Sequence, residues 1–332
     1  MIKQNIVSPF TGAGATLRHK PATLVFRKET FPYVHQYYEC DQTHEAFTTE
    51  ELDEANLAQV YNQYRAKYGI PFPEEIKRIR QHYGLSATKM SEILGFGENQ
   101  YRLYENGDMP SEANGKVLMS IMNPDIFRAF VANARGQFSE DEYQKIMSKV
   151  GENMQSEFNS FARQYLFGSS QRSIYNGYAS QNISKLKNVI LYFIEQSQGI
   201  FFTKMNKLLF YTDFLSYKTY GRGMTGLCYR AIDFGPVPVH WDRIYSCFDE
   251  IQQEIVRFSN GKEGTRLTST LSPDLSEFTE QECELLSAVH HRFRKMTSTQ
   301  ISEESHKEEA WRQFIGTSGY IDYQLAFSLL AV

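Results

Sequence analysis

The spacing of apolar and polar residues changes along the chain, and each pattern predicts a different kind of element. Residues 15–20, 23–28 and 33–39 are rich in Thr, Val, Tyr and Phe and are separated by glycine and proline, as is typical of short strands. A capping box at Thr48 then precedes apolar residues at helical spacing up to Tyr68. We therefore predict a small meander followed by a helix of about five turns.

Between residues 73 and 133 the pattern breaks into short helices with clear ends. Predicted helices cover residues 74–83, 86–94 and a third stretch that ends at Glu105, and Ser111 caps a fourth helix. Their shared core would be formed by Ile76, Ile79, Leu85, Met90, Ile93, Leu94, Tyr101, Tyr104 and Leu118. This spacing matches that of a helix-turn-helix that reads DNA.

In such a domain the third helix lies in the major groove, so its early side chains would face base edges. These side chains are Glu98, Asn99, Gln100 and Arg102. Amides can pair with adenine, a guanidinium with guanine and a carboxylate with cytosine, so the set suits direct readout. Phosphate contacts are expected from Ser86, Thr88 and Lys89. The alternative is a helical bundle with a solvated polar face, since residues 74–108 carry 5 basic and 6 acidic side chains.

The C-terminal part of the chain predicts a mostly helical domain with a small sheet. Ser184 caps one apolar helix, and a second covers residues 203–217. A strand over 227–231 and a Gly-Pro-Val-Pro turn at 235–238 follow, and Thr279 caps a later helix. Between them, a long amphipathic helix is predicted from Trp241, Ile244, Tyr245, Phe248, Ile251, Ile255 and Phe258.

Two segments connect the predicted domains. A capping box at Ser139 begins one or two helices over residues 139–167. These helices would either dimerise the protein or extend the core of the helix-turn-helix. Residues 168–180 lack apolar periodicity and predict a linker.

Composition excludes several classes of protein. The 35 Lys and Arg residues are balanced by 39 Asp and Glu residues, so the net charge of −4 provides no global basic field for nucleic acid or membrane. Any DNA binding must come from a local surface. The four cysteines lie far apart without a C-x-x-C pair, which argues against a disulfide framework and a four-thiolate zinc site. No run resembles a signal peptide or membrane span, so we expect a soluble cytoplasmic protein without membrane association.

The sequence carries no constellation of residues suited to catalysis. It lacks the motifs of nucleophile elbows, zinc proteases and phosphate-binding loops. His290 and His291 are neighbours on a predicted helix and point in different directions. Cys228, Cys247 and Cys283 would fill space in the core. We therefore expect no enzyme activity, no cofactor and no bound metal.

The helix-turn-helix segment resembles the Xre-like domain of MqsA-type antitoxins. The resemblance is carried by residues 75–80, 85–97 and 104–107 and covers about residues 74–125. It places Asn99 at the family's base-contacting Asn. The family's reading Arg, which precedes a Tyr-Glu pair, is Leu103 here, and Arg102 would substitute for it.

The strand-rich N-terminus resembles the zinc ribbon of the same family, in which two C-x-x-C knuckles hold the metal. Residues 8–12 stand at the first knuckle and residues 40–43 at the second, with a single thiol. The resemblance thus implies a ribbon without intact metal ligands. Its core would consist of Phe10, Phe26, Phe31, Tyr37, Tyr38 and Phe47. An irregular metal site formed by His35, His44 and Cys40 is the alternative.

The most specific motifs in the chain are segments 207–215, 220–222, 225–226, 229–231 and 234–238. Together they closely resemble the Panacea, or SocA-like, domain of antitoxins, over about residues 184–315. Members of this family usually neutralise a toxin encoded beside them. The resemblance therefore implies a binding role and supplies no catalytic residues.

Within these motifs most residues suit structural roles. Gly221, Gly226 and Gly235 permit tight turns, and Asp213 is expected either to pair with Arg222 or to cap a neighbouring segment. Aromatic and Arg side chains favour interface cores. The predicted partner-binding residues are Tyr217, Tyr220, Arg222, Arg230, Phe234 and Trp241.

The expected fold is mainly α with small β parts. It comprises a zinc-ribbon-like β module without intact metal ligands (1–48), a helix plus a five-helix Xre-type helix-turn-helix domain (49–133), a helical connector and linker (134–183), and a mostly helical α+β Panacea domain (184–332). The expected function is that of an antitoxin that binds a co-encoded toxin and its own operator DNA. The alternatives are a stand-alone transcription regulator, for example one carried by a phage, whose C-terminal domain senses a partner or ligand, and an adaptor that has lost DNA binding.

Overall fold

The computed structural model describes residues 2–151, 167, 171–259 and 261–332. The chain divides into two compact units. The larger unit comprises Met1–Asn62 and Arg163–Val332, and the smaller comprises Gln63–Ala162. Helices predominate among the described residues and are accompanied by three small antiparallel sheets.

The larger unit begins with an antiparallel meander whose four strands pair in chain order. The strands are β1 (Asn5–Val7), β2 (Gly14–Phe26), β3 (Glu29–Cys40) and β4 (Ala46–Phe47). The strands predicted over 15–20 and 23–28 are one continuous strand that passes through Pro21. Pro21 lies opposite Val34, whose own N–H and C=O bond elsewhere. The pair therefore exchanges no ladder hydrogen bonds, and the N–H that proline lacks is not needed there.

Helix α1 (Glu50–Tyr68) closes the free edge of β3 with two side-chain amides. Asn56 accepts a hydrogen bond from Gln36 N and donates one to Gln36 O, both at 2.9 Å. Gln59 forms the same pair with Val34 N and O, at 3.0 and 2.9 Å. Residues three apart on a helix share a face, so the two amides substitute for a neighbouring strand.

The N-terminal meander packs against a C-terminal helix of the same unit. Asn62 Nδ2 donates to Gly221 O at 2.8 Å, and Gln36 Nε2 donates to Lys218 O at 3.3 Å. Gly221 has a φ of +68°, and a Cβ there would lie 2.9 Å from the Cβ of Ala58. Residues 1–48, expected as a module of their own, are therefore part of the larger unit.

The C-terminal part of the larger unit surrounds one central helix. Its helices are α8 (Ile183–Ser197), α9 (Phe202–Tyr220), α10 (Glu280–Phe293), α11 (Ser298–Ser305) and α12 (Glu309–Arg312). Its strands are β5 (Ile200–Phe201), β6 (Tyr229–Ile232), β7 (Gly235–Pro238), β8 (Gln252–Arg257) and β9 (Glu263–Thr268). From Met205 to Tyr217, every residue of α9 except Leu215 is buried. The hydrophobic core is therefore built around this helix.

Three local expectations about this part are corrected by the structure. The N-cap of α8 is Asn182, whose side chain accepts from Lys185 N, and not Ser184. The predicted turn at 235–238 is strand β7. The amphipathic helix predicted over 241–258 is a short 3-10 helix, Ile244–Cys247, followed by β8. The antiparallel pairing of β8 with β9, which itself pairs with the distant β5, overrides the helical spacing of the apolar residues there.

The structure also differs from the linker predicted over residues 168–180. Residues 168–170 lie outside the described part, but Ile174–Asn176 form a 3-10 helix in which Asn176 is fully buried. Gly177 has a φ of +59°, and a Cβ there would lie 2.7 Å from the ring of Tyr323. The described residues of this segment are thus packed into the larger unit.

The smaller unit is helical. Its helices after α1 are α2 (Pro73–His82), α3 (Ala87–Leu94), α4 (Gln100–Glu105), α5 (Glu112–Ser120), α6 (Pro124–Asn133) and α7 (Glu140–Gly151). The predicted caps Ser86 and Ser111 accept from Lys89 N and Asn114 N. The capping hydroxyl of α1 is Thr49, which accepts from Leu52 N, and not Thr48.

Helix α7 extends the core of the smaller unit. Ile146 and Val150 are buried in the same cluster as the residues predicted for the core of a helix-turn-helix, and Tyr143 and Met147 pack against it. Of the two roles expected for this segment, the structure therefore supports extension of the core. The rest of the predicted connector, residues 152–166, lies outside the described residues.

The edge closure by α1 predicts a clear stability effect. We expect Asn56→Ala to lower the free energy of unfolding by about 2 kcal/mol, because it leaves a buried N–H and C=O of Gln36 without partners. Urea unfolding measures the effect. The exposed Glu54→Ala on the same helix is the control and should change stability by less than about 0.5 kcal/mol. Equal effects of the two substitutions would contradict the edge closure.

Candidate functional site

The motif segment of the larger unit is built around one buried carboxylate, that of Asp213. Its Oδ1 accepts from the backbone N of Met224 at 2.7 Å and of Thr225 at 2.6 Å. Its Oδ2 accepts from the hydroxyls of Thr225 and Tyr229. Burial raises the pKa of Asp213, and hydrogen bonds from Thr225, Tyr229 and Met224 oppose that rise. Asp213 thus holds the loop after α9 and strand β6, the second of its two expected roles.

Strands β6 and β7 form a hairpin whose tip carries an exposed aromatic ring. The tip consists of Asp233 and Phe234, and Phe234 is 69% exposed. The next residue, Gly235, has a φ of +101°, and a Cβ there would overlap Ser305 Oγ and Lys207 Cε. Only glycine therefore fits beneath the tip.

Lys207 lies fully buried under this hairpin. Among the described residues its Nζ has no hydrogen-bond partner, and the same holds for Ser302 Oγ and His306 Nε2. Burial lowers the pKa of Lys207 to about 7. Burial, followed by the charge of Lys207, also lowers the pKa of His306, whose ring stacks on Trp311 at 4.1 Å. Lys207 begins the motif segment 207–215 but was predicted to have no role, although a lysine among the apolar neighbours of α9 is a visible signal.

The six residues predicted for the partner surface differ in exposure. Tyr217 is only 1% exposed and belongs to the core, which corrects its assignment to a surface: α9 is covered on nearly all sides. Phe234 is the strongly exposed member of the set. The half-buried members are Tyr220, Arg222, Arg230 and Trp241.

In the smaller unit, helix α4, the candidate DNA-recognition helix, is held in place by hydrogen bonds to α2 and α3. Tyr101 is buried and donates from its hydroxyl to Ile76 O at 2.8 Å, while its N–H donates to Ser91 Oγ at 3.1 Å. Arg80 forms two hydrogen bonds with the carboxylate of Glu105, at 2.6 and 3.2 Å. These contacts fix the helix relative to α2 and α3.

The side chains predicted at base edges lie together on the outside of this unit. Glu98, Asn99 and Arg102 are exposed, and Gln100 is half-buried. Asn99 is the N-cap residue of α4, and its φ of +64° is one that Asn tolerates better than most residues. Leu103, at the position of the family's reading Arg, is 43% exposed.

The predicted phosphate contacts are less uniform. Thr88 is exposed, and Ser86 is exposed while its Oγ caps α3. Lys89 is already engaged: its Nζ lies 2.8 Å from Glu92 and 3.0 Å from Glu142. Burial lowers the pKa of Lys89, but the hydrogen bonds to the two carboxylates raise it overall. Its charge is thus balanced within the unit.

The two segments predicted to stand at the positions of zinc knuckles, residues 8–12 and 40–43, meet at Cys40. Thr11 Oγ1 lies 3.3 Å from Cys40 Sγ. Hydrogen bonds from Ser8, Thr11 and Thr43 lower the pKa of the buried Cys40 thiol to about 6. Hydroxyls are poor zinc ligands, so one thiol and three hydroxyls do not form a structural zinc site.

The alternative metal site is not assembled in the structure. His35 and Cys40 are five positions apart on the extended strand β3, a distance of about 16 Å. In the described part of the chain, no group of three or more His, Cys, Asp or Glu side chains is placed to hold a metal ion. Cys247, expected in the core, is exposed.

Comparison with known protein families gives one match. Residues 205–312 match the model of the antitoxin SocA-like family, Panacea domain. The Panacea-like region inferred from the motifs is thereby confirmed over this range, which includes Asp213, Lys207 and the β6–β7 hairpin. Comparisons with curated proteins and with solved structures gave no match. Among the helices that the structure describes, none is long and apolar enough to cross a membrane.

The buried lysine predicts a pH-dependent stability. The unfolded chain holds the proton of Lys207 up to a pKa of about 10.4, whereas the folded chain releases it above about 7. The unfolded state therefore binds more protons between these values, and stability rises with pH there. Below pH 7 the cost of burial is fully present. We expect Lys207→Met to be more stable than the wild type at pH 7, with a difference that shrinks by about 1.4 kcal/mol per pH unit toward pH 9.

Urea unfolding of both proteins between pH 7 and 9 measures this difference. Lys307→Met is the matched control, because Lys307 is 62% exposed. Its difference from the wild type should not change with pH. A pH-independent difference for Lys207→Met as well would show that Lys207 is not buried in its neutral form.

Proposed function

We propose that this protein is an antitoxin that neutralises a co-encoded toxin by binding it directly. The observation that carries the proposal is the match of residues 205–312 to the antitoxin SocA-like family. Neutralisation would occur through a stable complex and without chemical modification of the toxin. The family match supports a toxin as the partner of this region.

Within that region, the tip of the β6–β7 hairpin is our proposed centre of the toxin interface. Phe234 is a large aromatic side chain with 69% of its surface exposed. The strand ends on either side of it are held by the pairing of Ile232 with Gly235 and by Trp311, whose Nε1 donates to Ile232 O at 2.8 Å. A rigidly presented aromatic ring loses little entropy on binding and is a common energetic centre of interfaces.

We further propose that the smaller unit binds operator DNA and represses transcription of its own operon. The proposal is supported by the exposed side chains of Glu98, Asn99 and Arg102, which lie at the start of helix α4, and by the contacts that hold this helix against α2 and α3. Amide and guanidinium groups in this position suit base readout in the major groove. Dimerisation on the operator would bring two such helices to successive half-sites.

Co-expression tests the neutralisation proposal. Each small gene beside the coding sequence is expressed with and without this protein, and growth and co-purification are scored. We expect one toxic gene product to be neutralised in a stable complex. Phe234→Ala should weaken the complex by about 30-fold, because it removes the exposed ring. Val25→Ala, which shortens an apolar residue that is 67% exposed, is the control and should leave affinity unchanged. A toxic neighbour that is not rescued by the wild type would refute the proposal.

The DNA-binding proposal is tested separately. Asn99→Ala and Arg102→Ala should each weaken binding to the protein's own promoter by about tenfold or more, because each removes a base contact worth about 1–3 kcal/mol. Neutralisation should be unaffected, since these residues lie outside residues 205–312. Gel shifts at fixed salt measure the effect, with the exposed Lys116→Ala as the control. Loss of neutralisation in either variant would show that the two roles are not separate.

A further inference from the structure

The larger unit contains a cavity that the proposed functions do not use. Its volume is about 1120 Å³. It is lined by the first turns of α9 and α11, by the C-terminal end of α10 and the residues that follow it, and by β9. Pockets for small molecules commonly measure about 300–1,000 Å³, so this one accommodates a nucleotide-sized ligand.

The lining of the cavity is strongly basic. Its four cations are Lys204, Lys262, Arg294 and Lys295. The one carboxylate among the lining residues, that of Glu263, lies 2.6 Å from Arg257, which balances it. The described lining therefore carries an excess of positive charge toward any ligand.

The excess of positive charge affects the pKa of a histidine in the cavity. His290 lines the wall, and its pKa is lowered by burial and then by the charges of Lys204, Arg294 and His291. These three charges, identified among the described residues, are all positive. Lys204 is held in place, since its Nζ donates to Arg294 O at 3.2 Å and to Met296 O at 2.7 Å.

Hydrogen-bond donors for an anion also line the cavity. Thr203 lies in the first turn of α9, and Ser298 and Thr299 lie in that of α11. The first N–H groups of a helix lack partners within it and carry its positive dipole end. Phosphate groups bind to this combination of backbone N–H, hydroxyl and basic side chains.

An aromatic pair completes the lining. Phe201 and Phe258 lie 5.3 Å apart, and Phe258 is 41% exposed. They pack over Gly264 in β9, where a Cβ would lie 3.1 Å from the ring of Phe258 and 3.3 Å from that of Phe201. Such a ring face beside basic groups suits the stacking of a nucleobase.

We propose that this cavity binds a nucleotide that carries two or more phosphate groups. The phosphates would contact Lys204, Arg294 and Lys295, and the base would stack on Phe258. This inference does not depend on the proposed antitoxin role. A protein with such a site would couple its binding functions to the nucleotide state of the cell.

Calorimetric titration of the full-length protein with ATP, tripolyphosphate, adenosine and an octaglutamate peptide tests the proposal. We expect ATP to bind more tightly than tripolyphosphate and adenosine, because only ATP uses both parts of the cavity. The double variant Arg294→Gln, Lys295→Gln should weaken ATP binding by more than about tenfold, the loss expected when charged hydrogen bonds are removed. Phe258→Ala should weaken ATP binding but leave tripolyphosphate binding unchanged.

The matched control is the double variant Lys307→Gln, Arg312→Gln, which removes the same charge from exposed residues outside the lining. It should bind ATP like the wild type. ATP should also raise the pKa of His290, measured by NMR, because it brings negative charge to the cavity. This readout separates binding here from binding elsewhere. The proposal is overturned if millimolar ATP does not bind, if both double variants bind it equally, or if octaglutamate binds more tightly than ATP, which would favour an acidic protein segment.

Discussion

The burial of the Asp213 carboxylate is the constraint on which the motif region depends. An ionised carboxylate without donors is very unfavourable in a protein interior. Its four donors come from Met224, Thr225 and Tyr229, so the loop after α9 and the start of β6 must adopt one arrangement. That arrangement sets where the β6–β7 hairpin leaves the core. The exposed tip is therefore positioned by a contact deep inside the unit.

Lys207 illustrates the opposite case, a buried polar group whose needs are not met by the described residues. Buried polar groups normally have hydrogen-bond partners, and exceptions occur most often at functional sites, where other contacts in the fold offset the free-energy cost. Here the apolar packing around α9 offsets the cost of burying Lys207, and Gly235 allows the β6–β7 hairpin to lie close to the lysine side chain. Lys207 lies directly beneath the surface proposed for toxin binding. A functional origin for the buried lysine is consistent with that position.

Much of the smaller unit could be predicted from the sequence because its signals are local. A serine cap such as Ser86 or Ser111 and a glycine stop such as Gly95 lie within a few residues of the helix they bound. The segment 241–258 could not be assigned in this way. Its apolar spacing fits a helix, but pairing with β9, which follows it in the chain, decides its structure. Strand β9 in turn pairs with β5 at Ile200 and Phe201, and a contact between such distant segments is invisible to a short sequence window.

The candidate sites likewise divide into features that depend on local sequence and features that depend on contacts between distant segments. Phe234 and Tyr217 were both placed at the partner surface because of their residue type. Phe234 is exposed at the hairpin tip, whereas the burial of Tyr217 depends on elements from the whole C-terminal part. The basic cavity is the extreme case. Its lining residues come from segments around 200, 263 and 295, each unremarkable by itself. Only their convergence in the fold gives them a common chemistry.

The two amides of α1 have a consequence for the behaviour of the protein in a crowded cell. An uncovered strand edge can recruit a strand from another molecule and so begin aggregation. At Val34 and Gln36 the backbone groups of β3 that would template such pairing are already bonded to Gln59 and Asn56. A helix therefore protects this edge against self-association without adding a further strand to the sheet.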